Sequence, residues 1–253
     1  MSVLLVDIGN SRIKWARWSE GRLGRQQARD YAGWTRREFE RALFGTRASP
    51  ERIVIASVAS ARVNRLLAAA AHRRSRVPFE FAQSARRGGA LTTRYTEPWR
   101  LGVDRFLAAI GAHRLVGRRA ACVIDVGTAM TIDLVDANGV HRGGAILPGP
   151  TLMVRSLLSS TDGIERRTRG AASRRGLFAR NTRAAVQQGA LYAAAAVADR
   201  AIAEARRALG SRPRVLLTGG DAARLAPLMR SAYVHVPDLV LRGLAVLAGL
   251  EPA

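Results

Sequence analysis

The stretch Val6-Asp7-Ile8-Gly9-Asn10-Ser11 ends an apolar run and turns sharply into Arg12-Ile13-Lys14-Trp15. Its closest counterpart in the chain is Ile124-Asp125-Val126-Gly127-Thr128-Ala129. In each stretch an apolar, strand-like segment leads to an aspartate, a β-branched residue, a glycine and a small polar residue. The two aspartates are separated by nearly half of the 253-residue chain. We therefore expect two structurally similar halves, each of which presents one acidic hairpin to a shared cleft.

Length and composition are typical of a folded, soluble protein. The chain has 253 residues, of which 48% are hydrophobic, enough for one large domain or two ordinary ones. Its longest apolar stretch, 189–198, ends at Asp199 and is far shorter than the roughly 18 residues needed to cross a bilayer. The first residues run directly into a strand pattern, without the features of a signal peptide. We expect a cytoplasmic protein with no membrane partner.

Cysteine and histidine content argue against disulfide and metal-site classes of protein, and the net charge bears on possible anionic partners. The single cysteine, Cys122, excludes an intramolecular disulfide, and the four histidines lack the spacing of metal ligands. The formal net charge of +22 comes from arginine, because Lys14 is the only lysine. Such a charge is compatible with nucleic-acid binding or with attraction to anionic metabolites. The arginines are spread over the whole chain without a nucleic-acid-binding motif, so solvated surface arginine is favoured and a nucleic-acid partner stays open.

Hydrophobic periodicity and turn signals predict the order β-β-β-α-β-α-β for the first half. The predicted strands lie at 3–7, 12–18, 22–28, 52–58 and 77–82, and the predicted helices at 35–44 and 61–74. Thr35 and Glu38 have the spacing of a capping box at the start of the first helix. After residue 82 the chain is expected to be irregular until it enters a helix that ends near Val116.

The second half is predicted to repeat this order. Strands are expected at 121–125, 130–136, 140–147, 214–217 and 232–236, and helices at 151–159, 181–209, 222–230 and 238–250. Asn138-Gly139 between two alternating runs is a strong hairpin signal. The segment 161–179 is basic, polar and without clear periodicity, so we predict a mobile loop near the cleft. The small residues on one face of helix 181–209 favour close packing at a domain or subunit interface.

The residue types of the first hairpin suit a nucleotide and its cation. A glycine lets the backbone approach phosphates closely, and backbone amides can donate to their oxygens. Asp7 would hold a cation or its water shell beside the phosphates, and Lys14 would add positive charge. One Asp-x-Gly by itself is more often an Asx-type turn that ends a strand. Two of them in matched strand-turn-strand settings favour the nucleotide site.

Asp104 is the candidate general base, because it lies where an irregular segment enters a helix and can face a cleft. The alternative is an ordinary helix N-terminal aspartate favoured by the macrodipole. Arg105 is equally compatible with a solvated or ion-paired arginine and with a ligand for a substrate carboxylate. Aromatic residues nearby suit either a pocket lining or the core, namely Tyr95, Trp99 and Phe106. Thr218-Gly219-Gly220-Asp221 is by itself only a weak signal of an anion site, and no histidine is assigned a role.

A series of short motifs occurs in order along nearly the whole chain. The motifs are Asp7-Ile8-Gly9-Asn10-Ser11, Tyr95-Thr96-Glu97-Pro98 with Leu101-Gly102-Val103-Asp104-Arg105, Asp125-Val126-Gly127-Thr128-Ala129-Met130-Thr131-Ile132-Asp133, Gly143-Gly144 to Pro148-Gly149, Asn181-Thr182 and Thr218-Gly219-Gly220. Together they resemble the type III pantothenate kinase family, and the set is specific although each motif is modest alone. Ser11 stands where many members have Thr, and Lys14-Trp15-Ala16 departs from the glycine-ending pattern of some members on the adenine side.

The resemblance implies an α/β, duplicated actin-like ATPase fold of the sugar kinase, heat-shock ATPase and actin superfamily. It implies an N-terminal half at 1–117, with a pantothenate-site segment at 83–117, and a C-terminal half at 118–253. The implied reaction is the ATP-dependent phosphorylation of pantothenate to 4′-phosphopantothenate, the first step of coenzyme A biosynthesis. The alternative is a transcription accessory or nucleic-acid-associated protein on the same fold.

The resemblance also implies roles for individual residues. Asp104 would be the catalytic base. The implied ATP-binding residues are Asp7, Ile8, Gly9, Asn10, Ser11, Arg12, Ile13, Lys14 and Thr128, with Asp7 on the magnesium side. The implied pantothenate-binding residues are Tyr95, Gly102, Val103, Asp104, Arg105 and Thr182. Asp125 would bind a monovalent cation, K⁺ or NH₄⁺, and the family is expected to form a homodimer.

Overall fold

The computed structural model describes residues 2–45, 49–75, 77–161 and 176–251. The chain forms two compact units. The first unit spans 1–118, 139–142 and 238–253, and the second spans 119–138 and 143–237. The last segment of the chain thus belongs to the first unit, whereas the sequence prediction assigns it to the half that begins at residue 118. Most of the predicted loop at 161–179 lies outside the described residues.

The sheet of the first unit is organised around its first strand. Its strands are β1 (Val3–Ile8), β2 (Arg12–Ser19), β3 (Arg22–Leu23), β4 (Gln27–Asp30), β5 (Arg52–Ser57) and β6 (Phe79–Phe81). The sheet order is β3-β2-β1-β5-β6, and β4 also pairs with β2. β1 is antiparallel to β2 and parallel to β5. All of β1 is buried, which explains why its sequence is almost continuously apolar.

Two helices cover one face of this sheet, α1 (Arg36–Phe44) and α2 (Ala61–Ser75). They pack against Leu4, Val6 and Ile8, which alternate along β1 and therefore share one side of it. The predicted capping box at the start of α1 is confirmed. The Glu38 carboxylate accepts hydrogen bonds from the N–H (2.5 Å) and the hydroxyl (2.6 Å) of Thr35.

Two glycines let α3 (Val103–Val116) and α7 (Leu239–Leu247) approach each other very closely. A Cβ atom on Gly243 would lie 1.8 Å from the carbonyl oxygen of Leu107. A Cβ atom on Gly111 would lie 2.5 Å from the carbonyl oxygen of Leu239. Neither space admits a methyl group. Because α7 also contacts β1 and β2, this helix pair anchors the C-terminal segment to the first unit.

The segment between β6 and α3 is more regular than predicted. It contains the antiparallel strands β7 (Arg87–Gly88) and β8 (Leu91–Thr93), followed by a 3-10 turn at Pro98–Arg100. β8 also pairs in parallel with Val140 and His141, which belong to the first unit. The prediction of an irregular segment was wrong here, because strands of two or three residues are too short to show periodicity.

The second unit repeats the sheet order of the first. Its strands are β9 (Ala121–Val126), β10 (Ala129–Val135), β11 (Val140–Pro148, of which 143–148 belong to this unit), β12 (Arg214–Thr218) and β13 (Val234–His235). Their order is β13-β12-β9-β10-β11. β9 is antiparallel to β10 and parallel to β12, as β1 is to β2 and β5. The predicted duplication of the strand order is therefore confirmed.

Within the described ranges the helices of the second unit are α4 (Pro150–Ser159), α5 (Thr182–Leu209) and α6 (Ala222–Leu225). α5 begins where the Asn181 side chain accepts the Ala184 N–H at 2.9 Å, and it ends at Gly210 in the left-handed conformation (φ 64°). Alanines of α5 and apolar residues of β9 and β10 form the core of this unit. No helix within the described ranges is long and apolar enough to cross a membrane.

Several element boundaries differ from the sequence prediction. The predicted strand 22–28 is divided into β3 and β4, and between them Gly24 N–H bonds to the Arg17 carbonyl at 2.7 Å. The predicted helix to residue 230 ends at Leu225, because Pro227 lies in a following 3-10 turn. The last helix ends at Leu247 instead of residue 250.

The contact between α3 and α7 yields a stability prediction. Gly243→Ala should lower the free energy of unfolding by about 1–3 kcal/mol or more, because the added methyl forces the two backbones apart. Gly189→Ala is the matched control: its Cβ would meet nothing within 4 Å in the middle of α5. The control should raise the helix stability by about 1 kcal/mol. Thermal unfolding measures both, and equal unfolding temperatures would contradict the close helix contact.

Candidate active site

The first acidic hairpin places a carboxylate beside an ammonium group. Asp7 on β1 is directly opposite Lys14 on β2 in the antiparallel register. The Lys14 Nζ lies 3.9 Å from the Asp7 Oδ2, and both side chains are largely buried. Low solvent exposure reduces screening, so this pair interacts more strongly than a surface ion pair would.

The turn between β1 and β2 is tight and open to solvent. The Gly9 N–H donates to the Arg12 carbonyl at 3.0 Å, and Asn10 and Ser11 are exposed. Arg12 forms an ion pair with Asp30 (3.1 Å) at the surface, where such a pair contributes little to stability. The sequence prediction grouped 7–14 as one phosphate-binding segment, and these residues do form one continuous hairpin.

The second unit contains a similar hairpin, in which an aspartate and a glycine again lie at the end of a central strand. Asp125 on β9 is in register with Thr131 of β10 and Thr218 of β12. The Gly127 N–H donates to the Ala129 carbonyl, two residues ahead, at 3.0 Å, whereas the Gly9 N–H donates to the Arg12 carbonyl, three residues ahead. The turn of the second hairpin is therefore one residue shorter. Two strands ending side by side thus bring a carboxylate and a buried hydroxyl to the same edge of the sheet.

Two further glycines pack directly against this second hairpin. Gly219 has a φ of 102°, and a Cβ atom on it would lie 2.5 Å from the Asp125 Oδ1. Gly149 donates its N–H to the Thr128 carbonyl at 2.9 Å, and a Cβ atom there would lie 2.0 Å from the Gly127 carbonyl oxygen. The motifs Pro148-Gly149 and Thr218-Gly219-Gly220 therefore act as backbone supports for the aspartate hairpin.

Polar side chains join the starts of α4 and α6 beside these glycines. The Thr151 hydroxyl donates to the Asp221 Oδ2 at 2.7 Å, and the Arg224 Nη1 donates to both the Thr151 Oγ1 (3.1 Å) and the Asp221 Oδ1 (3.0 Å). The Asp221 N–H in turn donates to the Val126 carbonyl at 2.9 Å. This network ties the TGGD motif to the end of β9.

Asp104 lies in the first turn of α3, as predicted, and is half-buried. Its Oδ1 accepts the Arg105 N–H at 2.8 Å. Gly102, the N-cap residue, is required by the position of this carboxylate, because a Cβ atom there would lie 2.6 Å from the Asp104 Oδ1. The motif Gly-Val-Asp-Arg therefore holds the candidate base in one orientation at the helix start.

Arg105 and Tyr95 form a contact pair next to Asp104. Arg105 is buried, its Nη1 donates to the Tyr95 hydroxyl at 3.1 Å, and its guanidinium carbon lies 5.7 Å from the centre of the Tyr95 ring. Both contacts fix the plane of the guanidinium group. The structure thus brings together Tyr95, Gly102, Asp104 and Arg105, four of the predicted pantothenate-site residues.

Three residues that the sequence analysis does not identify hold the backbone at Tyr95 in place, namely Arg86, Thr93 and His141. The Thr93 hydroxyl lies 3.0 Å from the Nδ1 of the fully buried His141, and it accepts the Tyr95 N–H at 3.2 Å. The His141 ring lies 6.0 Å from the Tyr95 ring. The Arg86 guanidinium donates to the carbonyls of Thr93 (2.9 Å) and Tyr95 (2.8 Å). No local motif marks these contacts, because His141 is 48 residues from Thr93 in sequence.

The aromatic residues near Asp104, which suit either a pocket lining or the core, differ in their surroundings. Phe106 is fully buried and belongs to the core, where its ring would be 2.6 Å from a Cβ atom on Gly88. Trp99 is 71% exposed on the 3-10 turn before α3. Thr182 begins α5, and Thr128 follows Gly127; both belong to the second unit.

The donor groups suit a cation that is held jointly with phosphates. Among the described residues no three His, Cys, Asp or Glu side chains cluster as metal ligands. Mg²⁺ needs no such cluster, because it commonly keeps several waters and binds one or two carboxylates together with substrate phosphates.

Burial, with a smaller contribution from Asp133, raises the pKa of the Cys122 thiol to about 12, so this residue is not a nucleophile.

The fold is shared with solved structures of other proteins. A Baf-family protein from Campylobacter jejuni has a TM-score of 0.54 and 20% identity, covering 97% of this chain and 97% of that chain. An activator of 2-hydroxyisocaproyl-CoA dehydratase from Clostridium difficile, with bound ADPNP, has a TM-score of 0.54 and 12% identity, covering 99% of this chain and 94% of that one. At these identities the similarity defines the fold class, which is the duplicated actin-like ATPase fold.

Sequence comparison identifies the family within this class. The profile of the type III pantothenate kinase family matches residues 3–204. A type III pantothenate kinase from Nitrosococcus oceani is 38% identical over 254 residues, covering 97% of this chain and 93% of that protein. The chain belongs to the type III pantothenate kinase family and is a kinase, which confirms the resemblance read from its motifs.

The support behind Tyr95 can be tested with two substitutions at Thr93. Thr93→Val removes the hydroxyl but keeps the shape, so the unsatisfied partners should lower the free energy of unfolding by about 1–3 kcal/mol. Thr93→Ser is the matched control, which keeps the hydroxyl and loses one methyl, worth about 1 kcal/mol. Hydrogen exchange of the Tyr95 amide should be faster in the Val variant alone. Equal exchange in both variants would show that the hydroxyl does not hold this segment.

Proposed function

We propose that this chain transfers the γ-phosphoryl group of ATP to the primary hydroxyl of pantothenate. The products are ADP and 4′-phosphopantothenate, and the reaction is the first step of coenzyme A biosynthesis. The observation that carries the proposal is the Asp104 carboxylate fixed next to the Arg105–Tyr95 pair in a chain of this family. One acidic group and one cationic group side by side match a substrate with a hydroxyl and a carboxylate.

Arg105 and Tyr95 would recognise the carboxylate end of pantothenate. A guanidinium group presents parallel N–H donors that match a carboxylate, and here its plane is already fixed by the Tyr95 hydroxyl and ring. Little side-chain freedom is then lost when the substrate binds. The proposal keeps Gly102, Val103 and Thr182 as further pantothenate contacts.

Asp104 would act as the general base. The pantothenate hydroxyl oxygen attacks the γ-phosphorus, the bond from this phosphorus to the β,γ-bridging oxygen breaks, and ADP leaves with that oxygen. The hydroxyl proton passes to the Asp104 carboxylate and later to solvent. A carboxylate suffices as the base, because the pantothenate hydroxyl needs mainly to be oriented and to lose its proton as the phosphoryl group arrives.

The hairpins would bind the nucleotide and its cations. The proposal assigns the phosphates to the turn amides and to Lys14, with Asp7 on the magnesium side and Thr128 as a further ATP contact. Asp125 would hold a monovalent cation, K⁺ or NH₄⁺. Mg²⁺, when bound, neutralises charge on the phosphates. The proposal also includes the family's homodimer, which sedimentation velocity would test.

The proposal is tested by a coupled assay of ADP release with purified protein. We expect turnover with Mg-ATP, pantothenate and either K⁺ or NH₄⁺. Turnover should be lost when Na⁺ is supplied in place of K⁺ or NH₄⁺. Pantothenol, which has an alcohol in place of the carboxylate, should be used far less well, because Arg105 then has no anion to bind. Equal use of pantothenate and pantothenol would rule out the assigned role of Arg105, and no turnover with either would refute the proposed activity.

Asp104→Asn tests the base directly. The variant keeps the shape and one acceptor oxygen, so we expect an unchanged unfolding temperature and a turnover about 10²–10⁴-fold lower. Asp199→Asn is the matched control, because Asp199 only accepts backbone N–H groups of Arg230 and Ser231 in the bonds described. A folded Asp104→Asn enzyme with near-normal kcat would exclude Asp104 as the base.

A further inference from the structure

Tyr31 reaches the turn of the first hairpin from outside the hairpin itself. It directly follows β4, whose last residue, Asp30, pairs with Arg12. The Tyr31 hydroxyl lies 2.5 Å from the carbonyl oxygen of Gly9 and 3.0 Å from that of Asn10, so its single proton is shared between these two acceptors. Its backbone N–H lies 3.4 Å from the Ser11 carbonyl oxygen. Three consecutive carbonyl groups of the turn thus face one tyrosine.

The position of the tyrosine is fixed by the core of the first unit. Tyr31 is only 7% exposed and belongs to the buried cluster beneath β1. Its ring lies 6.3 Å from the ring of Phe39 on α1. The packed ring therefore fixes the position of the hydroxyl. The hydroxyl in turn fixes the position of the exposed turn through its hydrogen bonding to the turn carbonyls. Burial also raises the pKa of the Tyr31 hydroxyl above its usual value, so the group remains a donor throughout the neutral range.

The hydrogen bonds to the carbonyls determine where the amide groups point. In a trans peptide the C=O of one residue and the N–H of the next are directed to opposite sides, and no peptide bond among the described residues is cis. When the Gly9 and Asn10 carbonyls face Tyr31, the N–H groups of Asn10 and Ser11 face away from it. Successive amides on one side of a turn form a concave site for an anion.

We propose that Tyr31 is a positioning residue for phosphate binding, which orients the peptide groups of the Gly9–Ser11 turn so that their amides can receive the phosphates of ATP. The inference rests on the proposed ATP-binding role of this hairpin. Tyr31 itself touches no substrate. It lowers the reorganisation needed on binding, because the turn is held in its phosphate-accepting conformation before the nucleotide arrives.

Tyr31→Phe tests the inference, because it removes the hydroxyl and keeps the ring that packs on Phe39. Calorimetry with Mg-AMPPNP should give a Kd about five- to tenfold higher, the effect expected from losing one ordinary hydrogen bond's contribution to preorganisation. The KM for ATP should rise in parallel, while the KM for pantothenate stays within about twofold. Tyr233→Phe, at a 38% exposed tyrosine in the second unit, is the matched control and should leave the Kd unchanged.

A purely structural role would give a different pattern. It predicts a lower unfolding temperature and equal losses for both substrates, whereas positioning predicts a selective loss for the nucleotide. Hydrogen exchange provides a second measurement: acceleration confined to 9–12 supports the inference, and acceleration throughout β1 contradicts it. Unchanged Mg-AMPPNP affinity in Tyr31→Phe would overturn the inference even in an active kinase. Weakened nucleotide binding without phosphorylation of pantothenate by the parent chain would instead overturn only the proposed substrate.

Discussion

The register of hydrogen bonds around one central strand in each unit is the constraint on which the rest of the structure depends. β1 and β9 each have an antiparallel partner on one side and a parallel partner on the other. Because side chains alternate along a strand, a shift of one residue would turn the aspartate of either hairpin to the opposite face. The buried apolar residues of the strand prevent such a shift, since it would expose them. The strand register that buries these apolar residues therefore also determines the face on which each aspartate lies.

Much of the fold could be predicted from sequence because its signals are local. The strand-turn-strand pattern at Asp7 and at Asp125, the capping box at Thr35 and the stop at Gly210 each depend on a few adjacent residues. Predictions failed where the deciding factor was distant or the element was very short. β7 and β8 have too few residues to show a period, and the C-terminal helix belongs to the first unit because of its glycine contact with α3.

The candidate site shows the same division between local and distant information. Motif residues such as Gly102, Asp104 and Arg105 are adjacent in sequence, so their grouping could be expected. Contacts from residues distant in sequence could not be expected, because neither His141, which contacts Thr93, nor Tyr31, which contacts the first hairpin, belongs to a motif. Both are ordinary core residues by composition. What distinguishes them is one polar atom directed at a functional segment, and this direction is set only by the folded structure.

The path of the chain through the first unit has a consequence for the order in which the protein is made. α3 packs against α7, yet α7 is separated from it by the whole second unit in sequence. A nascent chain on the ribosome would therefore present the Gly111 surface of α3 without its partner until residues 239–247 emerge. Until then the first unit lacks one of its helices, whereas the second unit has all of its residues once residue 237 has been synthesised. The N-terminal unit, begun first, would be the last to complete its core.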